Sequence, residues 1–82
     1  MNNKQQLAQA TAAYYAAQVR KILDQNNNNT LIINADYSIT NGTARIKLAQ
    51  PIELDNHTSK QLRALFQTKI SLGRGLIVIG AN

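Results

Sequence analysis

Hydrophobic positions recur along this chain in two different periods, and the switches between them divide it into elements. From about residue 4 to residue 25, Ala8, Ala12, Tyr15, Val19, Ile22 and Leu23 share one face at helical spacing, with no Gly or Pro between them. Ala, Gln, Leu, Arg and Lys dominate the segment, and because such side chains lose little rotamer freedom in a helix, a helix is predicted there. A second stripe, Leu7, Ala10, Tyr14 and Ala17, ends at Lys21 and lies nearly opposite the first. Its small residues would let another helix come close, although helix propensity alone accounts for alanines on a solvent face. Asn26 to Asn29 follow as a stop, since asparagine tolerates the left-handed backbone that ends a helix.

The period then changes to two. Leu31, Ile33, Ala35, Tyr37 and Ile39 alternate with Ile32, Asn34, Asp36, Ser38 and Thr40. After Asn41-Gly42, Ala44, Ile46 and Leu48 alternate with Thr43, Arg45 and Lys47. An Asn-Gly pair between alternating runs predicts a hairpin over about 31–40 and 43–50, with a two-residue corner at positive φ. That corner would place Tyr37 opposite Ile46, Ala35 opposite Leu48 and Asp36 opposite Lys47. Pro51 ends the second strand because it has no N–H for a ladder. Asp55-Asn56-His57-Thr58 is rich in capping residues, and Thr58 with Gln61 has capping-box spacing. A helix over about 58–72 would bury Leu62, Leu65, Phe66 and Ile70, with Gly73 just past its end. Leu76-Ile77-Val78-Ile79 predicts a last strand over about 76–80.

The order α-β-β-α-β predicts an α+β fold: a two-layer α/β sandwich with a three-stranded sheet and both helices on one face. Eighty-two residues fit a single domain, 1–82. If the last strand runs parallel to its neighbour, the crossover through the second helix should be right-handed, and the strand should lie at an edge. The uncovered face of the hairpin should carry Ile32, Asn34, Asp36, Ser38, Arg45, Lys47 and Ala49, joined by Leu76 and Val78 or by Ile77 and Ile79. An apolar pair beside an unpaired edge is usually covered by a second copy, so a homodimer is expected, with Tyr14, Ile77 and Ile79 as self-association residues. Cover by Ala81, Asn82 and neighbouring loops is the plainer alternative.

Composition narrows the chemistry. Apolar residues make up 44% and charged residues 16%, while ten Asn and eight Gln supply much of the polarity. The chain is too apolar for disorder and too interrupted for a membrane span, so no membrane partner is expected. Without cysteine there is no disulfide, thiolate metal site or cysteine nucleophile. The first residues lack the apolar run of a secretory signal, and a cytoplasmic location is expected.

The net charge of +5 is uneven: residues 1–41 carry +1 and residues 42–82 carry +4. From Lys60 onward Lys60, Arg63, Lys69 and Arg74 occur without an acid, and Gln67 shares the polar side of the second helix. Arg45, Lys47, Lys60, Arg63 and Arg74 are therefore the candidate contacts for nucleic acid or an acidic partner. With no aromatic expected on the open face, contact with phosphate is favoured over base stacking. Charge kept for solubility is the bland reading of the same residues.

Catalytic groups do not converge in the sequence. Asp24, Asp36, Glu53 and Asp55 are scattered, with Asp55 better placed as a cap, and His57 has no nucleophile fixed beside it. Gly73-Arg74-Gly75 follows a predicted helix, where the dipole repels anions. No catalytic residue, metal ligand or cofactor is assigned, and a non-enzyme is expected. The leading expectation is a small basic module that associates with nucleic acid through backbone phosphates. The alternatives are a phage- or plasmid-type accessory protein that inhibits a host complex, and a self-assembling structural module.

Overall fold

A computed structural model describes residues 3–51, 54–66 and 70–80. The expectations placed on Glu53, Gln67, Lys69, Ala81 and Asn82 lie outside the described residues. The elements are α1 (Asn3–Gln25), β1 (Ile32–Ser38), β2 (Thr43–Leu48), α2 (Asn56–Phe66), β3 (Ile70–Gly73) and β4 (Leu76–Gly80). The α+β class agrees with the sequence pattern, but the sheet has four strands in the order β1-β2-β4-β3, and every pair is antiparallel.

The last strand is therefore interior, not at an edge, and no parallel pair is present among the described strands. The predicted helix over 58–72 is corrected as well: α2 starts at Asn56 and ends at Phe66, and Ile70–Gly73 pairs with β4 as a strand. Ile70 is buried and Ser71 exposed, a period-two pattern. The same Ile70 also continues the helical spacing of Leu62 and Phe66, so both readings fit the apolar positions. What decides is backbone pairing. A strand as apolar as Leu76–Ile79 is best buried with hydrogen-bond partners on both sides, and β3 supplies the second. Gly73 is thus the end of a strand, and Arg74-Gly75 is the corner of a hairpin, not a helix cap.

One face of the sheet meets both helices. Val19, Ile22 and Leu23 of α1 and Leu62 of α2 close over Ala44, Ile46 and Leu48 of β2, Ile70 of β3 and Ile77 and Ile79 of β4. The four aromatic residues form one connected group at its margin. Tyr15 stacks on Tyr37 at 6.0 Å, touches Phe66 at 5.1 Å and meets Tyr14 edge-on at 5.7 Å, tying α1 to β1 and α2. Leu65, expected in the core, is 44% exposed.

The helix ends show how local chemistry sets the boundaries. Asn27 has φ +60°, the Asn28 N–H donates to the Leu23 carbonyl at 2.8 Å, and the Asn27 N–H donates to the Asp24 carbonyl at 3.1 Å. This is a Schellman arrangement with asparagine in the left-handed position. At the start of α2 the cap is Asp55, whose Oδ1 accepts the Thr58 N–H at 2.8 Å. The Thr58–Gln61 capping box does not form; Gln61 Oε1 instead accepts a hydrogen bond from Asn26 Nδ2 at 2.6 Å.

The β1–β2 corner also differs from expectation. Ser38 pairs with Thr43, Tyr37 with Ala44, Asp36 with Arg45 and Ala35 with Ile46, leaving four residues in the corner. Only Gly42 there has positive φ, and its N–H donates to the Ser38 carbonyl at 2.7 Å. The register is thus displaced by two from the predicted one, a shift that keeps every residue on its face. A bulge between Ile32 and Asn34 then breaks the alternation: Ile32 joins the core margin, while Ile33 is 56% exposed and Leu31 67% exposed. Gly80, with φ +136°, runs so close to this corner that a Cβ would overlap the Gly42 carbonyl oxygen.

Candidate nucleic-acid interface

The site grows from β2. Its burial alternates strictly, with Ala44, Ile46 and Leu48 buried and Arg45 and Lys47 exposed. Because β2 pairs on both sides, the outward cations sit inside the sheet surface and not on its rim. The strand registers give the rows across this open face. Asp36, Arg45, Val78 and Ser71 form one, and Asn34, Lys47, Leu76 and Gly73 form the next. Arg74 stands at the hairpin corner directly after Gly73, beyond the row that holds Lys47. Arg45 and Lys47 therefore share one side of the molecule, about 7 Å separating successive outward positions along a strand, and exposed Arg74 stands at the end of the neighbouring hairpin.

Asp36 makes no ion pair with Arg45, although its charge offsets part of the cation's field on this face. Although the two are register partners, the Asp36 carboxylate accepts a hydrogen bond from Asn34 Nδ2 at 3.2 Å. Among the described residues the one ion pair is Arg20–Asp24. Asp36, Tyr37, Ser38, Asn41, Thr43 and Arg45 line a shallow hollow of about 280 Å³ at the hairpin end. Its hydroxyl, amide and guanidinium groups are hydrogen-bond donors to oxygen.

The structure separates the rest of the predicted set. Lys60 and Arg63 are exposed on α2, which packs on the opposite side of the sheet, so the five candidate cations do not form one surface. The self-association set is corrected too. Ile77 and Ile79 are 1% and 0% exposed and belong to the core; the outward residues of β4 are Leu76 and Val78, both half-buried. Tyr14 is 56% exposed, as is Leu7 at 59%.

Three features escaped the sequence reading. Arg20 is half-buried and holds the loop after α1: its guanidinium donates to the carbonyls of Thr30 and, at 2.5 Å, Asn28, and pairs with Asp24 at 2.8 Å. The four-residue spacing of Arg20 and Asp24 was a visible signal for the pair, but nothing in the letters marked the loop carbonyls. The side-chain bonds of the asparagine run are the second; Asn26 bridges the helices and Asn28 Oδ1 accepts the Thr30 N–H at 3.0 Å. The third is Ile33, turned outward by the bulge.

Among the described residues Asp55 carries the one displaced acidity. Hydrogen bonds from the Thr58 side chain and backbone, with a smaller contribution from nearby His57, hold its carboxyl below the ordinary aspartate value. Its role is the cap of α2, and His57 beside it is exposed. Among the described residues no three His, Cys, Asp or Glu side chains gather as a metal site, and no helix is long and apolar enough to cross a membrane. No protein family model, no curated protein and no solved structure matches the chain.

Proposed function

We propose that this chain is a non-catalytic binding module whose open sheet face associates with nucleic acid through backbone phosphates. The observation that carries the reading is the placement of Arg45 and Lys47 on an interior strand of an uncovered sheet, with Arg74 at the adjoining corner. No aromatic residue stands in the outward rows: Tyr15, Tyr37 and Phe66 pack at the core margin, Tyr37 also bordering the hollow at the hairpin end, and Tyr14 lies on α1. Single-strand binders gain about 1–3 kcal/mol per base from aromatic stacking, and this surface lacks that source of affinity. A duplex, with one phosphate charge per roughly 1.7 Å of axis, is the better match to cations without stacking partners. Contacts of this kind position a protein without reading sequence.

The test is fluorescence anisotropy of a short labelled duplex at two salt concentrations, about 50 and 200 mM. The wild-type chain should bind at low salt and weaken steeply at high salt. Arg45→Ala with Lys47→Ala should lower affinity and reduce the salt slope by about two, one per lost phosphate contact. Absence of binding at low salt would remove the reading.

A second reading has its own support. Leu7 and Tyr14 are exposed on the first half of α1, where Asn3 to Thr11 include no buried residue. Such a face suits a protein partner, as an accessory or inhibitory module would use. A stoichiometric protein that co-purifies after nuclease treatment, and is lost with Leu7→Ser and Tyr14→Ser, would favour it over the first.

A further inference from the structure

Resting on the nucleic-acid reading above, we infer that the helix layer is a second phosphate-contact surface, so that one copy of the chain bridges two duplex segments. Among the described residues, exposed cations stand on both layers of the sandwich. Arg45 and Lys47 occupy the open sheet side, with Arg74 at the corner of the neighbouring hairpin. Lys60 and Arg63 are exposed on α2, whose buried residues Thr58, Ser59 and Leu62 turn the other way. Lys21 is exposed on α1 and lines, with Gln18, Gln25 and Gln61, the polar part of a groove of about 280 Å³ between the two helices whose remaining wall is Ile22, Ala64 and Leu65. Side-chain amides are among the groups that bond phosphate and sugar oxygens, so the groove adds neutral contacts to the charges around it.

Among the described residues the acids on this layer are already engaged. Asp24 pairs with Arg20, and Asp55 caps α2. Among the described residues Lys21, Lys60 and Arg63 enter no ion pair, so their charge is directed to solvent. The two sets are separated by the thickness of the sandwich, whose short axes are 23 and 20 Å. Duplex DNA is stiff over that distance, with a persistence length of about 150 bp, and a segment lying on one layer does not bend round to the other. Two sets on opposite layers therefore engage two segments.

The experiment uses the full chain and a bead-bound duplex that captures a second, fluorescent duplex at low salt. The wild-type chain captures it. Lys60→Ala with Arg63→Ala, both on exposed positions, reduces affinity for a single duplex by less than about threefold, while capture falls to background. Circular dichroism confirms that the variant is folded. If this variant captures as well as the wild type, the helix layer is not the second surface. Binding of one duplex by the wild type without capture of another also overturns the inference and leaves the open-face reading standing. No binding to any duplex at low salt overturns both.

Discussion

The two hairpins of this protein are built on different terms. β1–β2 joins alternating strands through a four-residue corner, and one of its strands carries a bulge that rotates Ile33 outward. β3–β4 joins a four-residue strand to an almost wholly apolar one through the two residues Arg74-Gly75. In the first, alternation tells inside from outside, so its faces can be read from residue types. In the second, the apolar run hides its own period, and the strand is placed by the need of its backbone for partners on both sides. The comparison teaches that side-chain pattern assigns faces, whereas hydrogen-bond demand assigns neighbours.

The strongest test of this contrast strikes a residue of the first hairpin that pairs directly with the second. Ile46 lies in β2, is fully buried and pairs with Ala35 on one side and Ile77 on the other. Ile46→Ala should cost about 2–5 kcal/mol in a denaturant titration, the range for emptying a well-packed site. The corner of the first hairpin gives the next effect. Gly42 has φ +65° and Asn41 does not have positive φ. Gly42→Ala should therefore cost about 1–2 kcal/mol, while Asn41→Ala stays within about 0.5 kcal/mol. A two-residue corner would make both substitutions costly, so equal effects would restore the register predicted from the Asn-Gly pair.

Acid should reveal the cap of α2. Because the Asp55 carboxyl in the folded chain sits below its ordinary 3.8, the cap's contribution is complete above that pH. It is lost as pH falls through the lower folded-state value. Thermal melts below pH 4 should show a steeper loss in the wild type than in Asp55→Asn, which has no carboxyl to titrate. The smallest effect belongs to Ile33. Ile33→Thr should change stability by no more than about 0.5 kcal/mol, the range for exposed positions. A loss several times larger would return Ile33 to the interior that simple alternation assigns it.

These differences mark how far the letters could be read. α1 and its asparagine stop were legible because helical spacing and the left-handed tolerance of asparagine are local properties. Arg45 and Lys47 were placed on the open face despite the register error, since a shift of two conserves the face. The bulge at Ile33 was not legible: Leu31, Ile32 and Ile33 are equally apolar, and nothing local says which one turns outward. β3 was hidden because Ile70 continues the apolar spacing of α2, and Gly73 mimics a helix cap. The grouping of Lys60 and Arg63 with Arg45 failed for a related reason. Sequence shows that a charge is exposed, but which layer exposes it follows from the packing of α2.

The claim on which the open face depends is that β4 lies between two partners, so that the outward rows run unbroken across four strands. Amide hydrogen exchange along Leu76–Gly80, followed by NMR, tests it directly. An interior strand has consecutive N–H groups bonded alternately to β2 and β3, and the account predicts slow exchange at successive residues of Leu76–Ile79. Slow exchange at every second residue only, with the intervening amides exchanging as freely as solvent-exposed ones, would make β4 an edge and contradict the account.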